Sequence, residues 1–146
     1  MLTHPAQTRS RVANAIYALL NPMPYGFFVA ALIFDAIYAR SADVLWVKSA
    51  AWLITLGLLF AILPRLVNLV HVWRPSNRSP SVEKADFWLN LVAILAAIAN
   101  AFVHSRDAYG TMPEGMLLSA LTVLLLSLGF FLLAMRHAAF KGVDHE

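Results

Sequence analysis

The amino-acid sequence predicts an all-α fold, an integral membrane bundle of four transmembrane helices with a short amino-terminal interfacial helix. Three observations lead there. The 146 residues are 60% hydrophobic and 13% charged, whereas soluble domains are about half apolar and about a quarter charged. A single domain of this length cannot hide that excess in a core of its own, so lipid or a large partner interface must cover it. The apolar residues also gather into four long runs, each bounded by charge, proline or glycine. Finally, the basic residues sit at the ends of those runs and form no continuous stripe, so the net charge of +3 suits membrane topology and not nucleic acid.

The first element is "TRSRVANAIYALL", where Val12, Ile16, Leu19 and Leu20 recur at helical spacing behind Arg9 and Arg11. That pattern fits a helix lying against head groups, or else a frayed tail. No uninterrupted apolar core of a cleaved signal precedes the first span, which is expected to act as its own anchor. That span covers about residues 24–40 and is introduced by "NPMP", whose Pro22 and Pro24 suit a first helical turn because no hydrogen bond is forfeited there. The second covers about 45–72. It is uncharged from Ser49 to Pro64, flanked by Lys48 and Arg65, and expected to bend at Pro64. "RPSNRSPSVEK", residues 74–84, has no periodicity and reads as a cytoplasmic loop. The third span covers about 85–105 and the fourth about 114–136. The uncharged stretch of the fourth, Gly115 to Met135, has 21 residues, which at 1.5 Å each match the roughly 30 Å of a hydrocarbon core.

Orientation follows from counting lysine and arginine. With the amino terminus inside, the cytoplasmic side collects Arg9, Arg11, Arg65, Arg74, Arg78, Lys84, Arg136 and Lys141, leaving Arg40, Lys48 and Arg106 outside. Both termini are then cytoplasmic. Tyr25, Trp73 and Trp88 fall at the inner boundary and Tyr38, Trp46 and Tyr109 at the outer one, as aromatic belts do.

This topology sorts the polar residues of the spans into two layers. Asp35 lies about one turn below the outer boundary, level with Asn100 and His104, which share one face of the third helix, and with Ser119 on the fourth. His104, Lys48 or Arg40 could stabilise its carboxylate. Its role is either structural, through a bond across helices or contact with interfacial water, or the handling of a proton or ligand. An inner layer gathers Arg65, Asn68 and His71 with Asp86 and Asn90, and with His137 beyond the fourth span. Within it an Arg65–Asp86 ion pair is expected, unless the arginine reaches outward to phosphates.

The chemistry these residues exclude is wide. With no cysteine, there is no disulfide, thiolate nucleophile or cysteine-ligated cluster. No metal-binding spacing such as HExxH, phosphate loop, Ser–His–Asp order or paired-carboxylate constellation is visible. His71 and His137 are the only level pair that could ligate a b-type haem, since His104 belongs to the opposite boundary. Gly57, Gly129 and the alanines of "AILAAIANA" allow close backbone approach, either within the bundle or to a partner.

Four segments carry a family resemblance: "NPMPYGFFVAALIFD", "WLITLGLLFAILPRLVN", "FWLNLVAILAAIAN" and the tail "RHAAFKGVD". From about Asn21 to Asp144 the chain resembles the bacterial membrane-protein family catalogued as domain of unknown function 2231. The resemblance implies four spans. It also implies a histidine beside the entrance proline, an acidic residue near the end of the second helix and a histidine opening the third. This chain has Asn21, Asn68 and the neighbourhood of Asp86 to Trp88 at those places.

The expectation is therefore a non-enzymatic protein of the bacterial inner membrane, an accessory, assembly or structural subunit of a larger membrane complex. Its partners would be the lipid bilayer and a membrane protein or further copies of itself, with no nucleic acid and no cofactor. Two alternatives come from other classes: a redox subunit holding b-type haem or quinone, and a proton- or ion-conducting oligomer using Asp35.

Overall fold

The computed structural model describes residues 22–72 and 81–143, and side chains over 22–62 and 84–135. Four helices make up almost all of it: α1 (Met23–Ser41), α2 (Val44–Val72), α3 (Ser81–His104) and α4 (Glu114–Val143), with a 3-10 turn at Ala108–Gly110 before α4. All four contain a stretch long and apolar enough to cross a membrane: Met23–Ser41, Val44–Ile62, Lys84–His104 and Glu114–Met135. The expected amino-terminal interfacial helix lies outside the described residues.

Two helices run beyond their expected spans. The expected loop 74–84 is cut short because α3 already begins at Ser81. The sequence "SPSVEK" reads as a helix start, with proline ahead of an acidic residue. At the other extreme α4 continues past residue 136 to Val143, since no helix breaker occurs until Gly142. α2 runs as one helix through Pro64.

α1 ends on Ala42, which adopts a left-handed conformation (φ 54°) so that its N–H reaches Tyr38 O at 2.8 Å. Asp43 then starts α2 by accepting the Leu45 N–H on Oδ1 at 3.0 Å, the bond of an N-capping aspartate. Two residues thus reverse the chain, and α1 and α2 lie antiparallel. Phe27 stacks on Phe60 and Phe34 meets Trp46 edge-on, the pairs that an antiparallel register requires. Gly57 sits where a β-carbon would come within 2.9 Å of the Phe28 ring, so this glycine serves packing within the bundle.

Each helix packs on its neighbours in sequence and α1 closes the ring against α4; α1 and α3 therefore face each other diagonally. The ends of α1 and α3 and the starts of α2 and α4 share one end of the bundle. Small and polar side chains fill the centre. Ala31, Ala50, Ala93 and Ala97 pack with Phe28, Ile54 and Leu126, whereas Trp52 (70% exposed), Phe102 (69%) and a series of leucines point outward. Water would penalise that partition; lipid favours it, because helix association in a bilayer comes from close packing of small residues and from polar contacts.

A buried polar layer as candidate functional site

Asp35 is the hub of the layer. It lies two turns before the carboxyl end of α1 with 0% of its surface exposed. Its Oδ1 is 2.8 Å from His104 Nε2 across the bundle diagonal, and its Oδ2 accepts the Ser119 hydroxyl at 2.6 Å. Ser119 in turn accepts an N–H from Asn100 Nδ2 at 2.7 Å. His104 Nδ1 lies 3.0 Å from the backbone carbonyl of Asn100, one turn earlier on α3.

Counting hydrogens fixes most of the roles. A carbonyl only accepts, so His104 Nδ1 carries a hydrogen. One more proton bridges Nε2 and Oδ1, which makes the pair a carboxylate with an imidazolium or an acid with an imidazole, neutral overall in either form. Both distances to Asp35 fall in the range of charge-assisted hydrogen bonds. A neutral pair explains how two ionisable groups can lie side by side in an apolar bundle, where an unpartnered charge would be expelled or neutralised.

The arrangement differs from a nucleophilic triad in one decisive respect. In a triad the imidazole faces the serine and removes its proton. Here the carboxylate stands between the two, and Ser119 spends its hydrogen on Asp35. Neither ring nitrogen of His104 is open to a serine, a metal or a haem iron, and among the described residues no group of three His, Asp or Glu side chains could hold a metal ion.

Surrounding residues bring the helices close enough for these bonds. Gly115, in the first turn of α4, faces His104: a β-carbon there would meet Cε1 of the ring and the Thr111 methyl, each at 2.8 Å. Tyr38 donates its hydroxyl to Ala108 O at 2.9 Å, fastening the 3-10 turn to α1. Tyr38, expected at the outer boundary, has its ring buried, and an inward carbonyl offers its hydroxyl a partner. Trp88 and Tyr109 are exposed. Of the three groups that could stabilise Asp35, His104 does so; Lys48 and Arg40 are exposed.

The opposite end has its own polar pair. Asn90 donates from Nδ2 to Asp86 Oδ1 and Asp86 O, both at 2.8 Å, one turn apart on α3. The pair packs on Gly129, where a β-carbon would lie 2.7 Å from Asp86 Oδ1. Nearby, Ser127 gives its hydroxyl hydrogen to Val123 O, so Tyr25 donates to Ser127 Oγ at 3.0 Å and ties α1 to α4. The side chains of Arg65, Asn68, His71 and His137 lie outside the described residues, and with them the expected Arg65–Asp86 pair and the haem candidates.

A family model described as predicted membrane protein (DUF2231) matches residues 13–141. The chain belongs to that family. No curated protein and no solved structure matches it. The DUF2231 match and the four apolar helices together make this a membrane protein, and Asp35, Asn100, His104 and Ser119 all fall inside the matched segment.

Proposed function

We propose that the protein is a non-enzymatic integral protein of the bacterial inner membrane, with both termini cytoplasmic, that serves as an accessory, assembly or structural subunit of a larger membrane complex. One observation carries the reading. Both carboxylate oxygens of Asp35, both nitrogens of His104 and the hydroxyl of Ser119 are bonded to other groups of the same bundle. A catalytic base or nucleophile needs a free valence toward substrate, and Asp35, His104 and Ser119 spend theirs on joining α1, α3 and α4. The short α1–α2 reversal and α3–α4 connection add no soluble catalytic domain.

The test is purification in mild detergent from the native membrane at natural abundance, with identification of co-purifying proteins and an absorption spectrum. A defined membrane-protein partner, lost on stronger detergent treatment, is expected. A homogeneous monomer with no partner would overturn the subunit reading. A Soret band abolished by replacing His71 or His137 would establish the redox alternative instead.

A proton-handling role has one specific observation in its favour, the bridging proton of a buried carboxylate–imidazole pair. Against conduction through a single bundle stands the apolar layer of Phe28, Ala31, Ile54, Ala93, Ala97 and Leu126. Proton flux in proteoliposomes that disappears in Asp35→Asn would favour this second reading, and flux unchanged by the substitution would remove Asp35 from it.

A further inference from the structure

Asn100 leaves one acceptor without a donor, and the bonds around it fix which atom that is. Ser119 has a single hydroxyl hydrogen, given to Asp35 Oδ2. Asn100 must therefore present an N–H to the same Oγ. Turning the amide by half a revolution would set its carbonyl oxygen against an oxygen with no hydrogen left to give. Oδ1 is thus directed elsewhere in a side chain only 1% exposed, and among the described residues it has no hydrogen-bond partner. Folded proteins rarely leave a buried acceptor so, and lipid has no donor to offer.

One turn deeper on α4 lies Thr122, also buried at 1%. Its hydroxyl hydrogen goes to Leu118 O at 2.8 Å, which leaves the lone pairs of Oγ1 free to accept. Asn100 on α3 and Thr122 on α4 are thus two buried acceptors, and Ser119, one turn from Thr122, is the residue that joins α4 to Asn100. A molecule with two hydrogens to give suits them, and charge decides its class. Among the described residues His104 is the titratable group bonded to Asp35. Ser119 and Thr122 on α4 and Val47, Ala50 and Ile54 on α2 bring no charge to the interior there. The Asp35–His104 pair is already neutral, so a cation added beside it would be buried unpaired.

We propose that Asn100 Oδ1 and Thr122 Oγ1 form a binding site for one internal water molecule, which donates to both. The layer is then a six-membered polar network of Thr122, water, Asn100, Ser119, Asp35 and His104, linking α1, α3 and α4.

The experiment is proton-detected magnetic-resonance spectroscopy of the full chain in perdeuterated lipid, reading magnetisation transfer from water to the Asn100 side-chain amide. Transfer is expected in the natural protein and is expected to be lost or reduced several-fold in Thr122→Val, which keeps the shape and removes the acceptor. A crystal structure from a lipid phase should show a solvent peak within about 3.2 Å of both oxygens. The proposal is overturned if the Asn100–Ser119 bond is present but transfer is absent, or if transfer in Thr122→Val is undiminished. It is equally overturned if Oδ1 is found bonded to a side chain, a lipid head group or a second copy.

Discussion

Asparagine at position 35 can keep both bonds of the aspartate, and leucine can keep neither. In Asp35→Asn the carbonyl oxygen accepts from Ser119 while the amide donates to Nε2 of a neutral His104, whose Nδ1–H still reaches Asn100 O. Two charge-assisted bonds become neutral ones, and neutral bonds between membrane helices average roughly 0.6 kcal/mol. The expected loss is about 1 kcal/mol. Asp35→Leu instead strands Nε2 of His104 and the Ser119 hydroxyl. Each buried orphan costs about 1–3 kcal/mol, and Ser119 can recover part by turning to a carbonyl of its own helix. About 3 kcal/mol is expected, so the two variants should differ by about 2 kcal/mol. Reversible unfolding in mixed micelles, titrated with a denaturing detergent, reads this difference directly. A double-mutant cycle sharpens it: with His104→Leu in the background, Asp35→Leu strands one group fewer and should cost at least about 1 kcal/mol less. Equal midpoints for the Asn and Leu variants, or strict additivity with His104→Leu, would refute the hydrogen-bond account of Asp35.

Three further outcomes follow from local geometry. Gly115→Ala should destabilise by about 1–3 kcal/mol in the same micelle titration, because the new methyl lands 2.8 Å from a His104 ring that is held at both nitrogens. Ala42→Gly should stabilise by about 0.5–1 kcal/mol, since the left-handed φ of 54° penalises a β-carbon more than glycine's extra unfolded-state freedom costs. Asp43→Ala removes the cap on Leu45 N–H and should cost about 1 kcal/mol, whereas Asp43→Asn, which keeps a capping oxygen, should remain close to the natural protein in thermal unfolding.

The four helices were legible because the bilayer imposes a length that about twenty apolar residues must fill, a constraint stronger than any local propensity. The same constraint made the polar layer legible. Counting at 1.5 Å per residue from a shared boundary puts Asp35, Asn100 and Ser119 at one height, with His104 one turn nearer the boundary, whichever way the helices turn. Height alone does not choose partners. Lys48 and Arg40 were as near in depth as His104, and the choice among them rests on helix rotation, set by where alanines and glycines let backbones approach. Gly115 shows the difficulty: in sequence it only marks the start of the fourth apolar run, and its contact with His104 exists only once α3 and α4 are paired. Asn90 and Asp86 could be joined from spacing alone, since i and i+4 share a face wherever the helix points. The inward bonds of Tyr25 and Tyr38 were not legible for the opposite reason. Their hydroxyl partners, Ser127 and Ala108 O, are 102 and 70 residues away, and no local pattern carries that pairing.

The position of the layer also bears on why a carboxylate is retained at all. A bundle whose core consists largely of alanine has little shape to fix the rotation of one helix against another, and lipid provides no hydrophobic drive to select among registers. Asp35 supplies the missing selection, because turning α1 by a quarter revolution would separate it from His104 and Ser119 at once and expose an unpartnered ionisable group to hydrocarbon. Alternatives that leave its oxygens unbonded are penalised far more than the native arrangement is stabilised. The unequal response expected for Asp35→Asn and Asp35→Leu is the measurable form of that asymmetry. If the pair is kept for specificity, the leucine variant should also populate more than one packed form, visible as doubled resonances for residues of the α1–α4 contact such as Tyr25 and Ser127. A single sharp set of resonances in a stable leucine variant would mean that the small-residue packing alone fixes the register.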